Sequence, residues 1–269
     1  MPTGVYIAKK KDNTEYYRVS FTFKNKHISL GSFDDIKKAE KVYKNAVAII
    51  NDNSEYMVNP ELHTTTYNSS LTIPFDKFIS LINFRDNGIY IKTPIYLCKK
   101  YFLYFLSMDN VLIFNTDDLF YYSNHRIISR GGYYYVNDYG MQTSILNRYG
   151  IRAHSVKDRD YIFLNGDSKD YRYENLKVIN RYFGVKKIEK KGHTLFQAYI
   201  HINGNFILGN YSSETEAAIA YNKAVEMLKN KSNVSYDVNY IDELNPIQYA
   251  STYNNTRLSK KFRRYVESM

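Results

Sequence analysis

Residues 4–47 of the chain recur, with substitutions, at residues 184–225. Self-similarity over this length marks a shared folding unit and constrains the chain more than any single motif. The first copy reads Gly4-Val5, then Tyr17-Arg-Val-Ser-Phe-Thr-Phe23, then Ile28-Ser-Leu-Gly-Ser-Phe33, then a helical stretch from Asp34 through Tyr43-Lys-Asn-Ala-Val47. The second reads Gly184-Val185, then Phe196-Gln-Ala-Tyr-Ile-His-Ile202, then Ile207-Leu-Gly-Asn-Tyr211, then a helical stretch through Tyr221-Asn-Lys-Ala-Val225. Leu30-Gly31 and Tyr43 match Leu208-Gly209 and Tyr221 at an offset of 178, whereas the preceding strands match at 179. The difference is one residue in a hairpin loop, where insertions are tolerated.

Both copies follow one physical plan. Tyr17, Val19, Phe21 and Phe23 alternate with Arg18, Ser20 and Thr22; Phe196, Ala198, Ile200 and Ile202 alternate with Gln197, Tyr199 and His201. A period of two predicts strands with one buried and one open face. Lys24-Asn25-Lys26 and Asn203-Gly204-Asn205 are turn signals. The period then changes: Ile36, Ala39, Tyr43, Ala46 and Ile50 share one helical stripe, as do Ala217, Ala220, Tyr221, Ala224 and Leu228. Asp34 is the expected N-cap of the first helix, and Ser213 with Glu216 has capping-box spacing. The predicted fold is α+β, with two small modules, each a three-stranded antiparallel sheet on one helix, flanking a central domain.

The charge divides along the same lines. The 269 residues carry a net charge of +10. Residues 1–51 hold ten Lys and Arg against five Asp and Glu, and residues 181–231 hold eight against four. Residues 52–180 hold fourteen of each, and residues 232–269 hold five against four. Excess positive charge on the two repeated segments directs attention to a polyanionic partner. The single Cys98 excludes an internal disulfide and any zinc site with several Cys ligands. The stretch from Tyr96 to Phe114 is cut by Lys99-Lys100 and Asp109-Asn110, so no membrane span and no membrane partner are expected. Met1-Pro2-Thr3-Gly4 has no apolar core of a secretory signal, and the expected location is cytoplasmic and nucleoid-associated.

The residues Gly4-Val5, Tyr17 to Phe21, Leu30-Gly31-Ser32-Phe33 and Ala39 to Ala46, with their second-copy counterparts, carry a family resemblance. Both copies resemble the ethylene-response-factor (APETALA-type) DNA-binding domain, also found in phage and bacterial integrases and homing endonucleases. The resemblance covers about 100 residues in total. It implies that the open sheet face enters the DNA major groove, which a β-ribbon can read. Carried over position by position, the implied DNA-binding residues of the first copy are Tyr6, Arg18, Ser20, Thr22, His27 and Ser29. Those of the second are Lys186, Gln197, Tyr199, His201 and Asn205. Lys9, Lys10, Lys11, Lys24 and Lys190 add basic loop positions suited to phosphate, although a solvated loop would carry such residues equally well. Arg18 is the one Arg on these faces and the chain has no Trp, which departs from the Arg- and Trp-rich plant pattern and implies a different base code.

Between the copies, Arg130-Gly-Gly-Tyr-Tyr-Tyr-Val136 and Asn165-Gly-Asp-Ser-Lys-Asp-Tyr-Arg-Tyr-Glu-Asn-Leu176 resemble the HNH homing-endonuclease domain over roughly residues 110–180. That chemistry requires one His as general base, another as metal ligand, and a divalent cation on the scissile phosphate. The metal-side His aligns with Phe163 and the general-base His near Thr143, and neither residue can serve. His125-Arg126 resembles the family's His-Arg pair but precedes the Gly-Tyr strand, the wrong order. The central domain is therefore expected to be a non-catalytic relic without a cofactor. The competing reading is an active Mg²⁺- or Mn²⁺-dependent homing endonuclease built on His154, Asp167 and Asp170.

The expected organisation is a first DNA-binding module at 1–51 and a linker and central-domain extension at 52–110. An HNH-like domain follows at 111–180, then a second module at 181–231 and a basic-ended tail at 232–269. The expected function is sequence-specific binding of double-stranded DNA, as a regulator or an accessory protein of a mobile element. A phage-type inhibitor that binds a protein through the same sheet faces is a third reading, and the oligomeric state stays open.

Overall fold

In the computed structural model, which describes residues 1–152, 155–229, 231 and 234–269, the chain is a mixed α+β protein. It has several small antiparallel sheets and, among the described residues, six helices. Two compact units emerge: Met1–Ile145 with Phe163–Leu176, and Leu146–Ile162 with Lys177–Met269.

The first unit opens with β1 (Val5–Lys9), β2 (Glu15–Phe23) and β3 (Lys26–Phe33), an antiparallel sheet in that order. The helix α1 (Ile36–Asn51) follows. Its N-cap is Asp35, one residue beyond the expected Asp34; the Asp35 side chain accepts from the Lys38 amide at 2.6 Å. The alternation predicted for the sheet appears in its burial: Val5, Val19, Phe21, Ile28 and Leu30 are buried in one cluster with Ala39, Val42, Ala46 and Ile49 of α1. Each large side chain removed from water in this way contributes roughly 1.5–3 kcal/mol. The alanines let the helix lie close on the sheet.

A short ribbon of β4 (Val58–Asn59) and β5 (Thr64–Thr65) leads to α2 (Phe75–Asn87). Next comes an antiparallel sheet of β6 (Ile95–Leu97), β7 (Tyr101–Phe105) and β8 (Val111–Asn115). Residues 52–110, expected as a linker and an extension of a central domain, share a core with the first sheet. Phe78, Ile79, Leu81, Ile82, Leu103, Phe105, Val111 and Ile113 belong to the cluster that holds Val19 and Ala39. Every residue of α2 from Phe78 to Phe84 is buried, so the helix lacks the polar face that a periodicity search needs. Its polar members are satisfied locally: Ser80 Oγ donates to the Asp76 carbonyl at 2.9 Å, and Asn83 Nδ2 donates to the Ile89 carbonyl at 2.8 Å.

The unit continues with α3 (Leu119–Asn124) and a three-stranded sheet of β9 (Ile127–Arg130), β10 (Tyr133–Asp138) and β11 (Met141–Ser144). The strands β12 (Tyr161–Phe163) and β13 (Leu176–Val178) pair as a two-stranded ribbon. The loop 164–175 between them belongs to the first unit, so the expected 111–180 segment is divided rather than packed as one body.

The second unit contains the antiparallel sheet β14 (Val185–Lys190), β15 (His193–His201) and β16 (Asn205–Tyr211), followed by α4 (Glu214–Leu228). Ser213 caps α4 by accepting from the Glu216 amide at 3.1 Å. The two sheets share an irregularity that the sequence did not reveal. A β-bulge lies between Val19 and Ser20 opposite Gly31, and another between Ala198 and Tyr199 opposite Gly209.

The remaining chain forms α5 (Pro246–Asn255) and α6 (Lys260–Glu267). Both have clear start signals: Asn245 and Gln248 form a capping box with Pro246 in the first turn, and Ser259 caps α6. The tail is packed. Leu258, Phe262 and Val266 join the core of the second unit with Ala198, Leu208 and Ala217. Asn239 donates from its amide N–H to Asn222 Oδ1 at 2.7 Å, and Asn222 Nδ2 returns a bond to the Asn239 carbonyl at 2.9 Å. No described helix is long and apolar enough to cross a membrane.

Candidate nucleic-acid interface

With Val19 and Ala198 turned inward, neighbouring residues on each sheet fall on the opposite face. In the first sheet, Tyr6, Arg18 and Ser32 form one row across all three strands, and all three are exposed. In the second, the same row is Lys186, Gln197 and Asn210. Gln197 Nε2 donates to Asn210 Oδ1 at 3.0 Å, which fixes the glutamine amide. Near the hairpin end, Thr22 pairs with His27, and His201 with Asn205. Thr22 Oγ1 lies 3.3 Å from His27 Nδ1, and His201 Nδ1 lies 3.1 Å from Asn205 Oδ1. Each sheet thus carries a polar row at one register and a histidine-containing polar pair at another.

The row between them differs. Ser29 is exposed, but Ser20, expected on the open face, is buried at 9% exposure. Ser20 lies next to the bulge, and its amide donates to the Gly4 carbonyl at 2.9 Å. Tyr199 makes the equivalent bond to the Gly184 carbonyl at 2.7 Å, but its longer side chain is half-buried and faces Ile207, which is exposed. The short serine ends below its neighbours where the tyrosine extends.

The basic positions separate into two groups. Lys9 pairs with Glu15 at 3.6 Å and Lys10 with Asp34 at 3.5 Å. Exposed pairs of this kind are worth at most about 1 kcal/mol and are screened by salt, so either lysine can exchange its carboxylate for a phosphate. Lys11, Lys186 and Lys190 are exposed and, among the described residues, have no carboxylate within ion-pair distance. Lys24 is engaged elsewhere: its ammonium donates to the Arg85 carbonyl at 3.4 Å and sits 5.2 Å from the Phe23 ring centre.

The HNH-like motif residues build a loop. The Asn165 backbone amide donates to Asn175 Oδ1 at 2.7 Å, and Asn175 Nδ2 donates to the Asp170 carbonyl at 2.8 Å. Asp170 is 1% exposed. Its Oδ1 accepts from Arg172 Nε at 2.9 Å, and its Oδ2 accepts from Arg172 Nη2 at 2.6 Å and from Asn165 Nδ2 at 2.8 Å. Burial alone would raise the Asp170 pKa, but these hydrogen bonds and the Arg172 charge outweigh it and hold the carboxyl below its usual range. Asp167 is exposed and caps the turn by accepting from the Lys169 amide at 2.9 Å.

These residues do not fit the divalent cation that the HNH resemblance implies. Phe163, at the metal-side position, is a buried hydrocarbon with its ring centre 5.4 Å from that of Tyr171. Thr143 lies within β11 opposite Val136. Both oxygens of Asp170 are occupied by Arg172 and Asn165, and no cluster of three or more His, Cys, Asp or Glu occurs among the described residues. His154, named for the competing reading, lies outside the described residues. His125 is held by its own surroundings, with Nδ1 2.8 Å from the Tyr121 carbonyl and its ring stacked on Tyr121.

Ser32 and Asn210 were missed by sequence reasoning, and they complete the polar rows. The signal for Ser32 and Asn210 was present: each follows the matched Leu-Gly pair by one residue, and only the hidden bulge obscured which face it takes. Compared with known proteins, the chain matches no family model, no curated protein and no solved structure.

Proposed function

We propose that the chain binds double-stranded DNA in a sequence-specific manner, reading major grooves with the open faces of the sheets β1–β2–β3 and β14–β15–β16. One observation carries this reading: both basic segments present a polar row at the same register, Tyr6–Arg18–Ser32 and Lys186–Gln197–Asn210, on sheets matched down to the bulge. Three strands about 4.8 Å apart make a ribbon roughly 10 Å wide, which suits a major groove about 12 Å wide. Arg, Gln and Asn are side chains that can make bidentate contacts with base edges. Two such modules on one chain raise apparent affinity through effective concentration when both engage one DNA. The loop 164–175 contributes structure in this reading, and the chain acts as a regulator or as an accessory protein of a mobile element.

The test is selection of binding sites from random duplex DNA, run with and without Mg²⁺ or Mn²⁺. A conserved selected motif, bound without strand breaks under either condition, supports the proposal. Metal-dependent cutting abolished by Asp167→Ala would establish the endonuclease reading in its place. Weak binding without base preference, together with a discrete protein partner, would favour the inhibitor reading.

A further inference from the structure

The second sheet is unevenly charged at its two edges. Its β14 edge carries Lys186, Lys187 and Lys190, all exposed, but the β16 edge, Asn205–Tyr211, holds no Lys or Arg. In the first sheet the corresponding edge strand, β3, has a lysine of its own, Lys26. A ribbon lying in a major groove brings both edges towards the phosphate walls, so a neutral edge leaves one wall without a counter-charge.

The C-terminal segment lies against this edge. The Ser259 amide donates to the Leu208 carbonyl at 2.7 Å, and Ser259 Oγ donates to the Ile207 carbonyl at 2.9 Å. Tyr211 donates from its hydroxyl to the Arg257 carbonyl at 2.9 Å. These bonds attach residues 257–259 to β16, the edge strand of the sheet, and α6 starts there. Phe262 and Val266, four residues apart, are buried, with the Phe262 and Tyr265 rings against Phe206. Helical spacing therefore turns Lys260 and Arg264 directly away from the core, with Arg263 beside them. Arg257, Lys260, Lys261, Arg263 and Arg264 are exposed, and among the described residues none is paired with a carboxylate. The acidic residue of α6 is Glu267, at its far end, where the helix contributes four positive charges against one negative. Lys261 is partly engaged, 5.6 Å from the Phe206 ring centre.

We propose that Arg257, Lys260 and Arg264 form a phosphate clamp on the β16 edge, holding the backbone of the duplex whose groove the second sheet reads. The inference rests on the DNA-binding proposal above and gives the tail a role within it. The clamp supplies the charge that β16 lacks and contacts no bases, so it sets affinity and salt response while leaving site preference unchanged.

The test measures Kd of the full chain for a labelled mixed-sequence duplex across a salt series. The triple variant Arg257→Ala/Lys260→Ala/Arg264→Ala is compared with Lys37→Ala/Lys38→Ala/Lys41→Ala, which removes equal charge from α1. Each lost phosphate contact lowers the log–log salt slope by about 0.9, so the clamp variant should lose about two to three units of slope and the α1 control less than one. The charge-preserving variant Arg257→Lys/Lys260→Arg/Arg264→Lys should keep the parent slope, which separates loss of charge from misfolding. A parent chain with no salt-dependent DNA binding overturns both proposals. Parent binding with an unchanged slope in the clamp variant, or equal loss in the α1 control, overturns the clamp alone. Loss of binding to phosphatidylserine vesicles with an unchanged DNA slope would assign the basic face to a membrane and also overturn the clamp.

Discussion

The ring of Tyr221 lies against the α-carbon of Gly184, where an added Cβ would collide with the ring and with the Tyr199 carbonyl oxygen. Gly4 and Tyr43 repeat the contact, with the Ser20 carbonyl as the third member. Both glycines have positive φ, +72° at Gly4 and +62° at Gly184. In each copy the helix can settle on its sheet only because the first strand is preceded by a residue without a side chain.

Gly4→Ala and Gly184→Ala should therefore each destabilise their own unit by about 3 kcal/mol, combining left-handed backbone strain with overpacking. Gly88→Ala is the control: it shares the positive φ, but nothing lies within 4 Å of its added Cβ, and it should cost about 1 kcal/mol. Urea denaturation monitored by far-UV circular dichroism measures all three.

The Gln197–Asn210 bond makes a separate prediction about specificity. Asn210 is exposed, so Asn210→Ala should change stability by no more than about 0.5 kcal/mol. Releasing the glutamine amide should relax discrimination at one base pair, where a good bidentate contact is worth about 1–3 kcal/mol. Competition binding with single-base variants of the selected duplex reads this directly.

Asp170 and Asp160 make the chain acid-sensitive. Burial tends to raise the Asp160 pKa, but hydrogen bonds from Arg159, the Val156 amide and Asn180 hold it low, as Arg172 and Asn165 do for Asp170. A carboxyl whose pKa is depressed by folding contributes stability that is fully present above its unfolded pKa of about 3.9 and is lost as pH falls through the lower folded value. Thermal melts should therefore lose stability below about pH 4. Asp170→Asn should cost about 3 kcal/mol at neutral pH by breaking a buried pair, and should flatten the acid dependence of the first unit.

Placing a histidine at position 163, which the HNH resemblance aligns with a metal ligand, should not create a nuclease. Phe163→His places a polar ring in a buried site beside Tyr171, costing about 2 kcal/mol, while both oxygens of Asp170 remain engaged. Plasmid nicking assays with Mn²⁺ should show no cleavage by this variant.

The strands and helices of the repeated segments were legible because each has one buried and one open face, a pattern that local spacing records directly at Val19, Phe21, Ala39 and Ala46. The bulges were not legible, because register leaves no mark in composition; Ser20, beside one of them, is buried where an exposed position was expected. Residues 52–110 were opaque for the opposite reason. The helix α2 is buried all round and has no face to alternate, and its partners Leu103 and Ile113 are distant in sequence. The tail had readable caps at Asn245 and Ser259, but nothing local showed that Phe262 would pack against Phe206. At the loop 164–175 the sequence offered Asn165, Asp170, Arg172 and Asn175 as separate positions, while their hydrogen bonding to one another, which leaves Asp170 no free oxygen, emerged only in three dimensions.

The most direct test of sheet-face recognition is in vitro site selection on the parent chain, Arg18→Ala and Gln197→Ala in parallel. The expected result is a defined motif for the parent and, for each variant, loss of preference at a distinct position, with the rest of the motif retained. Selection profiles identical across all three proteins, or no enriched motif for the parent, would contradict it.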